Sequence, residues 1–145
     1  MVITSRDPHL ASRLRLAVAR TARRLRQEAG GGLSPTLTAA LASIENHGPL
    51  TPSELADRER IKRPTATRLI GTLEGAGLVT RTADIADRRS SLIAITPEGR
   101  ELMRTLRTRK DLYLAQRLRT LSDSDRETLA RAADLLERLL EEDPA

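Results

Sequence analysis

Cysteine, phenylalanine and tryptophan are absent from this chain of 145 residues, and Tyr113 is its only aromatic residue. Without cysteine the chain cannot form disulfides, thiolate metal sites or thiol redox sensors. A single aromatic side chain cannot supply the stacking platform of a sheet-based RNA-binding domain. His9 and His47 are the only histidines, too few for a histidine metal centre. We therefore expect no cofactor and no metal.

Long apolar runs are also missing. No run approaches the roughly 20 residues that a membrane-spanning helix needs, and the segment Met1–Leu10 lacks the apolar centre of a secretory signal. The length suits one domain, and a hydrophobic content of 39% can fill its core. We therefore expect a single folded domain over residues 1–145, located in the cytoplasm, with no membrane contact.

Positive charge is abundant and is carried almost entirely by arginine. Lysine and arginine number 25 against 20 acids, for a net charge of +5, and lysine occurs only at Lys62 and Lys110. Basic residues dominate 1–29 and 101–121, whereas acids dominate 122–145. Because arginine forks well onto phosphates and base edges, this distribution predicts an anionic partner for the basic part of the chain.

Pairs of a hydroxyl residue and proline predict where three helices begin. Such a pair supplies an N-cap acceptor and a proline at the first helical position, and the pairs are Ser34-Pro35, Thr51-Pro52 and Thr96-Pro97. Hydrophobic periodicity predicts six helices in all, at about 8–28, 35–46, 52–59, 64–75, 97–119 and 123–142. β-branched residues predict two antiparallel strands at 78–82 and 91–96, joined by a loop at 83–90.

The order helix, short turn, helix, hairpin describes a winged helix-turn-helix, so the fold class we predict is mainly α with a small β-hairpin wing (α+β). The DNA-binding part would span 34–100, and the flanking helices at 8–30 and 101–145 would form a dimerisation region. A helix fits the width of the DNA major groove. The recognition helix would be the segment of about 64–76.

Candidate DNA contacts cluster in two places. Arg68 can bind guanine O6 and N7, and threonines near the helix start can donate to phosphates or touch a thymine methyl. Two adjacent arginines in the hairpin loop can reach the minor groove, with Asp87 as a support that pairs with an arginine of the hairpin or the fourth helix. The candidates are Lys62, Arg63, Thr65, Thr67, Arg68, Thr72, Arg88 and Arg89.

The first and last helices carry more apolar surface than the DNA-binding part needs. The candidates for a dimer surface are Leu10, Leu14, Leu129, Leu136, Leu139 and Leu140. These leucines would either complete the core of one chain or meet a second copy. A two-fold dimer would match symmetric half-sites about one helical turn apart.

The stretch Leu50 to Met103 resembles the multiple antibiotic resistance regulator (MarR) family. The similarity is carried by LTPSELADRERIKRPTATRLIGTLEGAGLVTR, then DRRS, then IAITPEGRELM. The resemblance implies a homodimeric winged-helix transcription regulator, usually a repressor, on a palindromic operator in double-stranded DNA. By position, Thr65, Thr67 and Arg68 match the recognition-helix contacts, Arg88 and Arg89 the wing arginines, and Asp87 the wing aspartate.

Three features depart from the family pattern. Gly71 lies inside the recognition helix, where it costs about 1 kcal/mol relative to alanine and either permits close packing or weakens the helix. Ile85 puts an apolar side chain in the wing loop. The family often binds small-molecule effectors, and the scarcity of aromatic residues argues against an aromatic one, so any effector is unidentified.

Two other classes of function compete with DNA binding. An enzyme is not supported, because the chain has no glycine-rich phosphate loop, no Ser/His/Asp set and no metal-ligand spacing. The alternative is a winged-helix module for protein–protein interaction without DNA. Such a module would not need Lys62, Arg63, Arg68, Arg88 and Arg89 to converge on one surface.

Overall fold

Six α-helices and one antiparallel hairpin make up residues 7–141, the part of the chain that this computed structural model describes. The predicted domain ends, 1–6 and 142–145, lie outside that part. The fold is mainly α with a small β-hairpin, as predicted. In chain order the elements are α1 (Leu10–Ala29), α2 (Pro35–His47), α3 (Pro52–Glu59), α4 (Arg63–Gly75), β1 (Val79–Ala83), β2 (Ser91–Ile95), α5 (Pro97–Leu118) and α6 (Asp123–Glu141).

Hydroxyl side chains cap the helices that the hydroxyl–proline pairs predicted. The side-chain oxygens of Ser34, Thr51 and Thr96 each accept a hydrogen bond from the backbone N–H three residues later, at 3.2, 3.1 and 3.0 Å. The Thr51 hydroxyl also donates to the Glu54 carboxylate at 3.0 Å. These bonds satisfy N–H groups that a helix start leaves open, so the starts of α2, α3 and α5 are confirmed.

The core lies between α2, α3, α4 and the hairpin. Its largest fully buried side chains are Leu41, Ile44, Leu50, Leu55, Ile70, Leu73 and Ile93. Truncating a buried leucine to alanine typically costs about 2–5 kcal/mol. The predicted DNA-binding part is therefore a packed unit that can hold surface side chains in fixed positions.

The hairpin is joined to the rest of this unit by a contact that the sequence did not predict. Within the hairpin, Val79 pairs with Ile95 and Ala83 pairs with Ser91. Leu50 forms an isolated bridge to Ile93, with reciprocal backbone hydrogen bonds of 2.9 and 2.7 Å. The loop between α2 and α3 thus acts as a short third strand and fixes the base of the wing.

The start of α5 packs closely against the other side of that base. The Thr96 hydroxyl donates to the Gly77 carbonyl at 2.7 Å. A Cβ on Gly99 would overlap the Leu78 carbonyl oxygen and would lie 2.7 Å from Cγ1 of Ile95. Glycine at this position therefore lets the helix approach the strand. This explains the glycine that ends the segment Thr96 to Gly99.

The first and last helices extend away from this core. Ala29 is the only buried residue of α1, and no residue of α6 is buried. Leu112, in the second half of α5, is 65% exposed, because that half of the helix runs past the core.

Two side-chain contacts connect α5 to α1 and to α2. Arg109 donates to the carbonyl oxygen of Ala29 at 2.9 Å, which connects α5 to the end of α1. Arg107 forms an ion pair with the partly buried Glu45, which connects α5 to α2. Helix α5 therefore links α1 to the winged unit.

Residues 7–141 contain neither a membrane-spanning helix nor a cluster of metal-ligating side chains. No helix there is both long enough and apolar enough to cross a bilayer. The same residues hold no group of three or more histidine, aspartate or glutamate side chains placed to bind a metal ion.

Candidate nucleic-acid interface

The turn before α4 places one apolar side chain inward and charged ones outward. Arg60 has a left-handed backbone, with φ of 53°. This conformation lets the backbone N–H of Ile61 donate to the Ala56 carbonyl at 3.0 Å. Ile61 is partly buried against the core, while Arg60 and Lys62 are exposed. The turn therefore packs Ile61 against the core and presents its charged neighbours to the outside.

The two faces of α4 differ sharply. The buried face carries Ala66, Leu69, Ile70 and Leu73, and the exposed face carries Thr67, Arg68, Gly71 and Thr72. Thr65, one of the predicted DNA contacts, is partly buried, because it sits one turn before Leu69 at the edge of the core face. The Thr72 hydroxyl donates to the Arg68 carbonyl at 3.1 Å, so its hydrogen is not available to another acceptor.

The N-terminus of α4 has no side-chain cap. Its N-cap residue is Lys62, whose side chain has no acceptor atom, and both Lys62 and Arg63 are exposed. The positive end of the helix dipole and two cationic side chains thus meet at one point of the surface. Such a helix end favours an anionic group, and phosphate is a common one.

The wing loop is held together by its two aspartates. Oδ1 of Asp84 accepts from the backbone N–H of Ala86, and Oδ1 of Asp87 accepts from that of Arg89, both at 3.0 Å. No arginine side chain in residues 7–141 forms an ion pair with Asp87. The support is therefore a bond to the loop backbone, and not the charge pair with a guanidinium that we predicted. It leaves the side chains of Arg88 and Arg89 exposed.

The wing and the start of α4 border one cleft. Arg63 and Arg89 both line this cleft of about 390 Å³, together with Thr51, Ser53, Asp84, Asp87 and Ser90. One arginine of each predicted cluster, Arg63 and Arg89, therefore lies at this cleft. Arg88 is exposed and does not line the cleft. Ser53 was not among the predicted contacts, because its only signal is its place in the first turn of α3.

An ion pair holds the wing against the other end of α4. Nε of Arg81 in β1 lies 3.3 Å from Oε2 of Glu74, and the same guanidinium reaches the Ser91 hydroxyl at 3.5 Å. Both partners are partly exposed, so the pair contributes little to stability. Its effect is to fix the angle between the hairpin and α4. Arg81 is thereby engaged within the chain, while Arg68 is free of any ion pair in residues 7–141.

Gly71 lies in the middle of α4 with open space around it. A Cβ at this position would meet nothing within 4 Å, so close packing within the chain does not explain the glycine. We expect Gly71→Ala to raise the free energy of unfolding by about 1 kcal/mol, because alanine loses less backbone entropy in a helix. Thermal or urea unfolding followed by circular dichroism measures this gain.

Gly77 provides a matched control for that substitution. It also has open space for a Cβ, but its φ is +75°, a left-handed conformation that costs an L-residue about 1–2 kcal/mol. Gly77→Ala is therefore expected to destabilise the protein. If both alanine variants shift the unfolding free energy in the same direction, the helical conformation assigned to Gly71 is wrong.

The chain matches a family model and known relatives. The family model that matches the chain is described as "MarR family", and it covers residues 33–91. An HTH-type transcriptional regulator of Mycobacterium tuberculosis is 40% identical over 139 residues, which are 95% of this chain and 97% of the relative. Similarity of this extent includes the outer helices as well as the matched segment.

Solved structures show the same fold. A crystal structure of a protein described as a transcriptional regulator from Pseudomonas aeruginosa is 34% identical with a TM-score of 0.84, over 94% of this chain and 97% of that one. A variant of Staphylococcus aureus MepR, bound to an oligodeoxyribonucleotide, is 21% identical with a TM-score of 0.70. That alignment covers 90% of this chain and 97% of the other.

Proposed function

The chain belongs to the MarR family of transcriptional regulators, and we propose that it binds specific sequences in double-stranded DNA as a cytoplasmic homodimer. The recognition helix of about 64–76 would enter the major groove, and the wing loop, 83–90, would enter the adjacent minor groove. The oligodeoxyribonucleotide bound to the MepR variant, which has the same fold, supports this reading.

The observation that carries the proposal is the cleft that Arg63 and Arg89 share. A protein that read only one groove would not need cationic side chains on both the recognition helix and the wing. Here Arg63 at the uncapped start of α4 and Arg89 of the wing line one cleft, and Arg68 and Arg88 are exposed. Phosphate contacts would set the register, and Arg68 would read a base.

Exposed leucines on the outer helices support the homodimer. Leu129, Leu139 and Leu140 of α6 are 46%, 61% and 79% exposed, and Leu10 and Leu14 of α1 are 54% and 38% exposed. They do not complete the core of this chain, which leaves a second copy as the surface that can cover them. The acids of α6 and the arginines of α1 would add complementary charge between subunits.

We further propose that the dimer is a repressor on a palindromic operator. Two recognition helices related by a two-fold axis read inverted half-sites about 10 base pairs apart. A dimer that covers both half-sites occupies the duplex on one face over two successive major grooves. Binding of that kind blocks access of other proteins to the same site, as in the repressors that the family usually provides.

The salt dependence of DNA affinity tests the proposal. Duplexes are selected from a random-sequence pool with the full-length protein, and binding is measured by fluorescence anisotropy. Because the dimer would neutralise several phosphates, we expect affinity to fall about 10³-fold or more between 50 and 200 mM salt. We also expect the selected sequences to contain inverted repeats. Absence of duplex binding would favour the protein–protein module instead.

A further inference from the structure

Ile85 is the most exposed large apolar side chain of the described residues, at 97%. It lies in the wing loop between β1 and β2, beyond the last strand pair of Ala83 and Ser91. It therefore covers no part of the chain's own core. In water this exposed aliphatic side chain has an unfavourable hydration free energy, which contact with an external apolar surface would remove.

Ile85 is exposed in a loop whose two carboxylates bond to the loop backbone. Asp84 and Asp87 both accept backbone N–H groups of the loop. The ends of the loop are closed by the Asp84 N–H, which donates to the Ser90 carbonyl at 3.2 Å, and by the Ser90 N–H, which donates to the Asp87 carbonyl at 3.0 Å. The loop thus exposes Ile85 together with Arg88 and Arg89.

The minor groove presents an apolar surface that fits this tip. Its walls are deoxyribose rings, and its width of about 6 Å accepts a branched aliphatic side chain. Proteins that bind this groove often insert isoleucine, leucine or methionine between base steps and use arginine to read the groove. Arg88 and Arg89 would hold the phosphates and the groove mouth, while Ile85 would be desolvated between the sugars.

We propose that Ile85 is a minor-groove contact of the wing that adds non-ionic affinity for DNA. This inference rests on the proposed function and deepens it, because it divides the wing's contribution into a charged part and an apolar part. The two parts have different dependences on salt. Removing a phosphate contact lowers the slope of log affinity against log salt by about 1, whereas removing an apolar contact leaves that slope unchanged.

The test compares Ile85→Ala with Ile85→Val and Arg89→Ala on a duplex selected by the parent protein. We expect Ile85→Ala to lower affinity about 10-fold at every salt concentration, since most of the buried aliphatic surface is lost. Ile85→Val should retain most of the affinity, and Arg89→Ala should flatten the salt slope. Ile85 and Arg89 are both exposed, so all three variants should melt at the same temperature as the parent.

A modified duplex identifies the groove. Replacing adenine by 2,6-diaminopurine adds an amino group to the minor groove and leaves the major-groove edge unchanged. On this duplex we expect the parent and Ile85→Ala to bind equally, because the contact is blocked. If Ile85→Ala binds the unmodified duplex as the parent does, or if its defect persists on the modified one, the inference is wrong while the proposed function stands. If the parent binds no duplex, both fail.

Discussion

Leu139→Asp is expected to leave the protein monomeric and to lower its affinity for duplex DNA by about 100-fold or more. Leu139 is 61% exposed on α6, a helix with no buried residue. The substitution therefore does not disturb the core of the subunit. It would bury a charge in the apolar contact between two copies, which is costly unless that charge is paired.

The loss of DNA affinity would follow from the loss of the second subunit. Two linked binding units bind more tightly than one by a factor of about 10²–10⁴, because the second contact is intramolecular. A monomer can occupy one half-site only. Light scattering after size-exclusion chromatography measures the mass, and anisotropy with the selected duplex measures the affinity.

Ala130→Asp is the matched control for this experiment. Ala130 is an exposed residue of the same helix, and helical spacing puts it on the side away from the leucines. The variant adds the same charge to α6 without entering the apolar stripe. We expect it to remain a dimer with the DNA affinity of the parent. A dimeric Leu139→Asp protein would show that α6 does not form the interface.

Local sequence signals were sufficient to predict the helix starts. The hydroxyl of Ser34, Thr51 or Thr96 and the proline that follows it each act within one turn, so no distant part of the chain is needed to form the cap. The end of the first helix at the three consecutive glycines is equally local. The order of these elements was enough to indicate the winged-helix architecture.

Contacts between distant residues were beyond local signals. The bridge between Leu50 and Ile93 pairs one residue of a loop with one residue of β2, so it leaves no periodic pattern in the sequence. The carboxylate of Asp87 could satisfy a guanidinium or a backbone N–H equally well, and only the path of the loop decides for the backbone. Thr65 was predicted as a DNA contact but is partly buried. A helical wheel shows the direction of a side chain but not how far the core extends around the helix.

The outer helices were predicted as helices but their partner was not determined by the sequence. Amphipathic spacing is the same whether an apolar stripe meets its own chain or a second copy. In the structure Leu129, Leu139 and Leu140 stay exposed, so these residues do not meet the core of their own chain. The pattern of a single sequence cannot make that distinction, because it depends on how far α5 and α6 extend beyond the core.

Arg68→Ala is expected to weaken binding to the selected duplex by about 1–3 kcal/mol and to relax the preference at one base pair. Arg68 lies on the exposed face of α4, and no carboxylate of residues 7–141 pairs with it. A guanidinium that binds guanine O6 and N7 reads a base and does not merely neutralise phosphate.

Arg68→Lys and Arg89→Ala separate reading of a base from attraction to the backbone. Arg68→Lys keeps the charge but loses the planar fork, so it should bind with the parent's salt dependence and with reduced discrimination at the same base pair. Arg89→Ala should keep that discrimination and flatten the salt slope by about 2, because each subunit of the dimer loses one phosphate contact worth about 1. Repeating the selection from the random pool with each variant measures base preference directly. An unchanged selected sequence for Arg68→Ala would show that α4 reads DNA through other side chains, and Thr67 on the same exposed face would then be the first to examine.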